Sequence, residues 1–144
     1  MGRILAIDYG SKRTGIAVTD PLRMIATGLT TVASKDIVAF LKDYLSKEKV
    51  VVFVIGIPKR MNGKASHSGL LINNFIRHLE RKFPGIPIQP IDERYTSKMA
   101  SHALFMSGMK KKKRQKKETI DMISATIILQ SYMEQQESYK VIKL

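Results

Sequence analysis

Residues 3–20 read RILAIDYGSKRTGIAVTD. The first seven are apolar and β-compatible, with one carboxylate, Asp8, near their end, and read as a buried strand. Gly10-Ser11-Lys12-Arg13-Thr14-Gly15 is a turn signal, and residues 16–19 read as a second strand. Two strands joined by a short glycine-bounded loop predict an antiparallel hairpin. Asp20-Pro21 marks the next turn, and the Thr-rich apolar stretch 24–32 reads as a third strand. A second decisive stretch is VVVFVIGI at 50–57. It does not alternate, which predicts a strand buried on both faces in a parallel arrangement.

The remaining elements build outward from these two. Ser34 is placed to cap a helix running to about Lys47, with Ile37, Val38, Leu41 and Leu45 on one face. Residues 58–69 form a polar loop. A helix over 70–83 carries Leu71, Phe75, Ile76 and Leu79 at helical spacing and stops at Pro84-Gly85. The strand expected at 86–93 contains prolines, which argues for a less central place. Thr96 can cap a helix reaching Met106, ended by Gly108. A basic loop follows, and a last helix starts at Glu118 or Thr119 and runs to about Glu134. The order β-β-β-α-β-α-β-α-α predicts an α/β fold with a mixed five-stranded sheet flanked by helices. A single domain is expected over 1–137, with a loose tail over 138–144.

Composition narrows the function. The chain has 144 residues and no cysteine, which excludes disulfides, thiolate metal sites and cysteine nucleophiles. Lys plus Arg is 25 against 12 Asp plus Glu, a formal net charge of +13. The run KKKKRQKK at 110–117 holds seven of the 25 basic residues, and the remainder of the chain is still net positive. Such an excess points to a polyanionic partner, with Lys110, Lys111, Lys112, Lys113 and Arg114 gripping backbone phosphates. The alternative is a solvated surface that only aids solubility. The N-terminus lacks a signal-peptide core and no apolar run approaches the roughly 20 residues that span a bilayer, so a soluble cytoplasmic protein away from membranes is expected.

With so few acidic residues, their positions matter. Most fall at turns or on polar helix faces. Asp8, Glu93 and Asp121 instead sit beside apolar elements: the end of the first strand, the end of the last strand, and the first turn of an apolar helix. Carboxylates near a core are costly unless paired or holding a metal. Three converging would demand cations, and their hard oxygens suit magnesium or manganese. Two such ions about 4 Å apart can activate water and stabilise a leaving oxygen. Each residue also has a plainer explanation. Asp121 can complement the helix dipole, Asp8 can bond the amides of the 10–15 turn, and Glu93 can pair with Arg94 or Lys98. Asp92 is set aside because strand alternation points it away from Glu93. Tyr9, beside Asp8, is the aromatic candidate for the site. His67, His78 and His102 show no ligand spacing, and the methionines read as core filling.

These residues resemble the YqgF/RuvX family of Holliday junction resolvases and pre-16S rRNA nucleases. The resemblance rests on RILAIDYGSKRTGIAVTD, GIPKRMNG at 56–63, DERYTS at 92–97 and IDMISATIILQSYM at 120–133, in that order over nearly the whole chain. It implies a ribonuclease-H-like fold and a divalent-metal nuclease whose catalytic, metal-holding acids are Asp8, Glu93 and Asp121. It also implies nucleic-acid contacts from Lys12, Arg13, Thr14, Arg94 and Thr96, and the basic loop adds Lys59, Arg60 and Lys64. One departure is that Lys64-Ala65-Ser66 follow Gly63, where the family often has an acidic residue. The implied reaction is phosphodiester hydrolysis with two Mg2+ or Mn2+ ions, in 5′-end maturation of the small-subunit rRNA precursor or on branched DNA. A weak homodimer is compatible with it. A strand-end aspartate before a glycine loop also opens actin-like and Hsp70-like ATPases, but those need two such lobes. A non-catalytic nucleic-acid-binding module is the third reading.

Overall fold

The computed structural model describes residues 1–57, 67–92 and 117–143; at 67, 68 and 137–143 it describes the backbone alone. Five strands, β1 (Arg3–Tyr9), β2 (Arg13–Thr19), β3 (Ala26–Ala33), β4 (Val50–Ile57) and β5 (Ile88–Asp92), form one sheet in the order β3-β2-β1-β4-β5. β1 and β2 form the expected hairpin, with Leu5 opposite Val18 and Asp8 opposite Gly15. β2 begins at Arg13, earlier than the sequence suggests, because the connection is only Gly10-Ser11-Lys12: the Gly10 amide donates to the Arg13 carbonyl at 3.0 Å. β3 adds antiparallel to β2, while β4 runs parallel to β1 and β5 parallel to β4. β4 is therefore internal, with Phe53, Val54, Ile55 and Gly56 all buried, as its unbroken apolar run predicts. β5 lies at the edge, which tolerates Pro90.

Strand alternation divides the core in two. On one face, Leu5, Ile7, Ile16, Phe53 and Ile55 pack against α1 (Ile37–Lys47) and α2 (His67–Lys82) through Ile37, Leu41, Ile72, Phe75 and Leu79. On the other, Ile4, Ala6, Ala17, Val54 and Ile91 pack against α3 (Lys117–Lys143) through Ala125, Ile128, Leu129 and Tyr132. Two aromatic contacts stiffen the first layer: Tyr9 stacks on Phe75 with centroids 4.0 Å apart, and Phe53 meets Phe83 edge-on at 5.8 Å.

Three sequence expectations are corrected here. Ser34 does not cap α1; residues Ser34–Asp36 form a short 3-10 turn, and α1 starts at Ile37. The Ser34 hydroxyl is drawn to the hairpin loop instead. His67 is already helical, within α2, where a polar loop is expected. The last helix already includes Lys117, the end of the basic run, and continues past Glu134 and through 138–143, where a loose tail is expected. No proline or glycine interrupts that stretch, so nothing local stops the helix. The helix expected after Thr96 and the body of the basic loop lie outside the described residues.

Candidate functional site

The site is built around Gly15. Asp8 shares the pleat face of Ile4 and Ala6, the face covered by α3. Its cross-strand partner is Gly15. A Cβ at position 15 would collide with the main-chain oxygen of Asp121 and crowd the Met122 amide. Glycine therefore lets the backbone of α3 settle directly on β2. The result places Asp8 and Asp121, far apart in sequence, on either side of one residue. Further along, the Thr31 hydroxyl donates to the Glu118 carbonyl at 2.6 Å and holds the start of α3 over β3.

Asp121 has a partner. The Arg13 Nε donates to its Oδ2 at 2.9 Å, with the two side chains 35% and 25% exposed. Because α3 starts at Lys117, Asp121 lies in the second turn and Glu118 is the first-turn acid. The dipole explanation of Asp121 thus fails, since that effect fades beyond the first turn.

The hairpin loop is tethered from beneath. Ser34 Oγ donates to the Gly10 carbonyl at 2.6 Å and lies 2.8 Å from the Thr14 hydroxyl, and the Ser34 amide donates to the Lys12 carbonyl at 2.9 Å. Thr14 is fully buried. Its expected contact with nucleic acid is therefore corrected: the hydroxyl is turned inward and serves the loop's conformation. Tyr9 is likewise corrected from a site aromatic to a core one, since it faces Phe75 on the opposite side of the sheet. Lys12 remains exposed at the hairpin tip. Replacing Ser34 by Ala is expected to lower stability by about 1–3 kcal/mol, because buried partners lose their bonds. A fall in the urea midpoint at unchanged slope would register it, and an unmoved midpoint would remove the tether from consideration.

β4 and β5 run parallel to β1, so all three end at one edge of the sheet. Asp8 is at that edge, and the chain segments bearing Lys59, Arg60 and Lys64 and bearing Glu93, Arg94 and Thr96 follow directly after β4 and β5. Those residues, with Lys110, Lys111, Lys112, Lys113 and Arg114, lie outside the described residues. Asp92 is exposed, while its neighbour Ile91 is buried under α3. Among the described residues no three His, Asp or Glu side chains form a metal cluster. One turn beyond Asp121, the Ser124 hydroxyl is fully buried with no hydrogen-bond partner among the described residues. The sequence singles out Asp8, Arg13 and Asp121 but carries no sign of the Arg13–Asp121 pair or the Ser34 tether. Neither leaves a local signal, because both join distant segments.

Comparison with known proteins supplies the context. Residues 2–135 match the RuvX family, described as "Holliday junction resolvase". A protein of Flavobacterium psychrophilum named "Putative pre-16S rRNA nuclease" is 55% identical, covering 92% of this chain and 97% of its own. One of the same name from Parabacteroides distasonis is 53% identical over 93% of this chain and 96% of its own. The solved structure of Thermus thermophilus RuvC in complex with a Holliday junction substrate superposes with a TM-score of 0.52 at 14% identity, covering 94% of this chain and 96% of that one. That likeness bears out the ribonuclease-H-like fold.

Proposed function

Because this chain belongs to the RuvX family, we propose that it is a divalent-metal-dependent nuclease that hydrolyses phosphodiester bonds in maturing the 5′ end of the 16S rRNA precursor. The observation that carries the reading is the placement of Asp8 and Asp121 on either side of Gly15. The relatives' shared name supports the substrate. The family's description favours a second reading, resolution of branched DNA. Work on an rRNA precursor would place the protein in the cytoplasm, and no described helix is long and apolar enough to cross a membrane.

The residues fit magnesium or manganese. Two half-buried aspartates whose backbones both adjoin Gly15 offer hard oxygens. Asp121 already accepts one cation, the Arg13 guanidinium, so its carboxylate is open to positive charge. The orphaned Ser124 hydroxyl leaves polar capacity on the same helix. Asp8, Asp121 and Glu93 would hold the metal. When bound, it supplies a Lewis acid that lowers the pKa of water and offsets charge on the leaving oxygen. The chain's own contribution is positional. Gly15 sets the backbone spacing of the two aspartates, the Ser34 tether shapes the hairpin loop, and Lys12 stands exposed at the hairpin tip, open to a phosphodiester backbone. The basic run, ending at Lys117 where α3 begins, brings phosphate-binding charge within a few residues of Asp121.

The test is a cleavage assay with structured RNA carrying a 5′ extension, single-stranded RNA and four-way DNA junctions side by side. Magnesium- or manganese-dependent cleavage of the 5′-extended RNA, abolished by chelator, is expected. Exclusive cleavage of junctions would favour the second reading, and nucleotide binding without any cleavage would replace both with an ATP-binding one. Replacing Lys110, Lys111, Lys112 and Lys113 with Gln is expected to weaken binding to all sequences alike. The slope of log K against log salt should flatten by up to about 0.7 per lost contact on single strands and about 0.9 on duplex DNA. An unchanged slope would move the electrostatic footing to Lys12 and the segments after β4 and β5.

A further inference from the structure

Arg13 is expected from sequence to face nucleic acid, yet it faces Asp121. Both ends of this pair are anchored by backbone. Arg13 closes the hairpin turn through its carbonyl, which accepts from the Gly10 amide at 3.0 Å. Asp121 is seated by its main chain against Gly15, two residues along the same strand face. The pair is therefore preset by the fold rather than assembled by two wandering side chains. Among the described residues Arg13 is the hydrogen-bonding partner of the Asp121 side chain.

We propose that Arg13 and a divalent cation compete for the Asp121 carboxylate. Arg13 would hold the site closed and charge-balanced until metal enters. This rests on the metal-dependent reading above. The directed N–H of the guanidinium occupies Oδ2 at 2.9 Å. A divalent ion bonded to that oxygen cannot share it at this distance without repulsion between the two cations. Metal entry at Oδ2 therefore releases Arg13. The released guanidinium stands at the hairpin beside exposed Lys12, where it can meet a phosphate with its planar fork. Cation binding and phosphate binding are thereby coupled: the arginine becomes available to substrate in the loaded state and is withheld in the empty one.

The full chain and two variants test this by metal binding, without substrate. Manganese affinity is measured from the electron paramagnetic resonance of free Mn2+. Arg13→Gln, which removes the competing charge, is expected to bind Mn2+ about tenfold more tightly than wild type, equivalent to about 1.4 kcal/mol. Arg13→Lys keeps the charge but loses the directed Nε bond, and is expected to fall between the two. In 15N spectra, the Arg13 Nε–H signal, identified by its loss in Arg13→Lys, should be protected in chelator and exchange rapidly at saturating Mg2+. Equal or weaker Mn2+ binding by Arg13→Gln would overturn the proposal, as would an Nε–H that stays protected at saturating Mg2+. Either result leaves the metal reading standing, because wild type still binds the ion. Absence of Mn2+ binding in wild type and both variants would instead defeat the metal reading, and this inference with it.

Discussion

Asp8→Asn is expected to lower turnover on the cleaved nucleic acid by at least about 10³-fold at saturating magnesium or manganese. On the metal-dependent reading, an amide in place of the carboxylate removes a charge that would draw the cation to the end of β1. Metal stabilisation of charge in such reactions is worth several kcal/mol, and about 1.4 kcal/mol corresponds to tenfold in rate. The fold should survive. The substitution preserves volume and Asp8 is only half-buried. Affinity for nucleic acid should also survive, since it rests on the basic residues. Single-turnover cleavage, circular dichroism and filter binding separate these effects. Wild-type turnover by Asp8→Asn would exclude the metal mechanism, and loss of folding would make Asp8 a structural residue.

Gly15→Ala is expected to damage stability and activity together. The added methyl meets the carbonyl oxygen and carbon of Asp121 and the amide of Met122, all main-chain atoms of α3. None can rotate away as a side-chain tip would, so α3 must lift from β2. Overpacking of this kind costs about 1–3 kcal/mol. Displacing Asp121 from Asp8 by about 1 Å should cost a further 10²-fold in turnover. Gly85→Ala is the matched control: a Cβ there meets nothing within 4 Å, and stability should change by less than about 0.5 kcal/mol. Urea midpoints of the two variants give the comparison. Equal midpoints would mean that α3 does not depend on the close approach at Gly15.

Much of this architecture is legible in the chain because its strongest signals are local. The hairpin follows from two apolar runs around a glycine-bounded turn, and the internal position of β4 from eight residues without alternation. Pro90 marks the edge strand. Helix boundaries are less legible. Ser34 has the side chain of a cap, but Gly10 and Thr14 compete for its hydroxyl from a neighbouring segment and win. Lys117 looks like the end of a charge run, yet its backbone already belongs to α3. At the site, the unusual placement of Asp8 and Asp121 is visible in sequence because carboxylates beside apolar runs stand out. Their juxtaposition is not, since it depends on which face of α3 meets β2 and on a glycine whose role appears only when two backbones touch. Arg13 shows the same limit. Its charge is legible, but charge alone does not say whether it faces a phosphate or a carboxylate.

The joint role of Asp8 and Asp121 is tested most directly by anomalous diffraction from crystals of the full chain grown with manganese. Anomalous density bridging the two carboxylates at the end of β1 is the expected result. Manganese bound elsewhere, with none between Asp8 and Asp121, would contradict a metal centre built on Gly15.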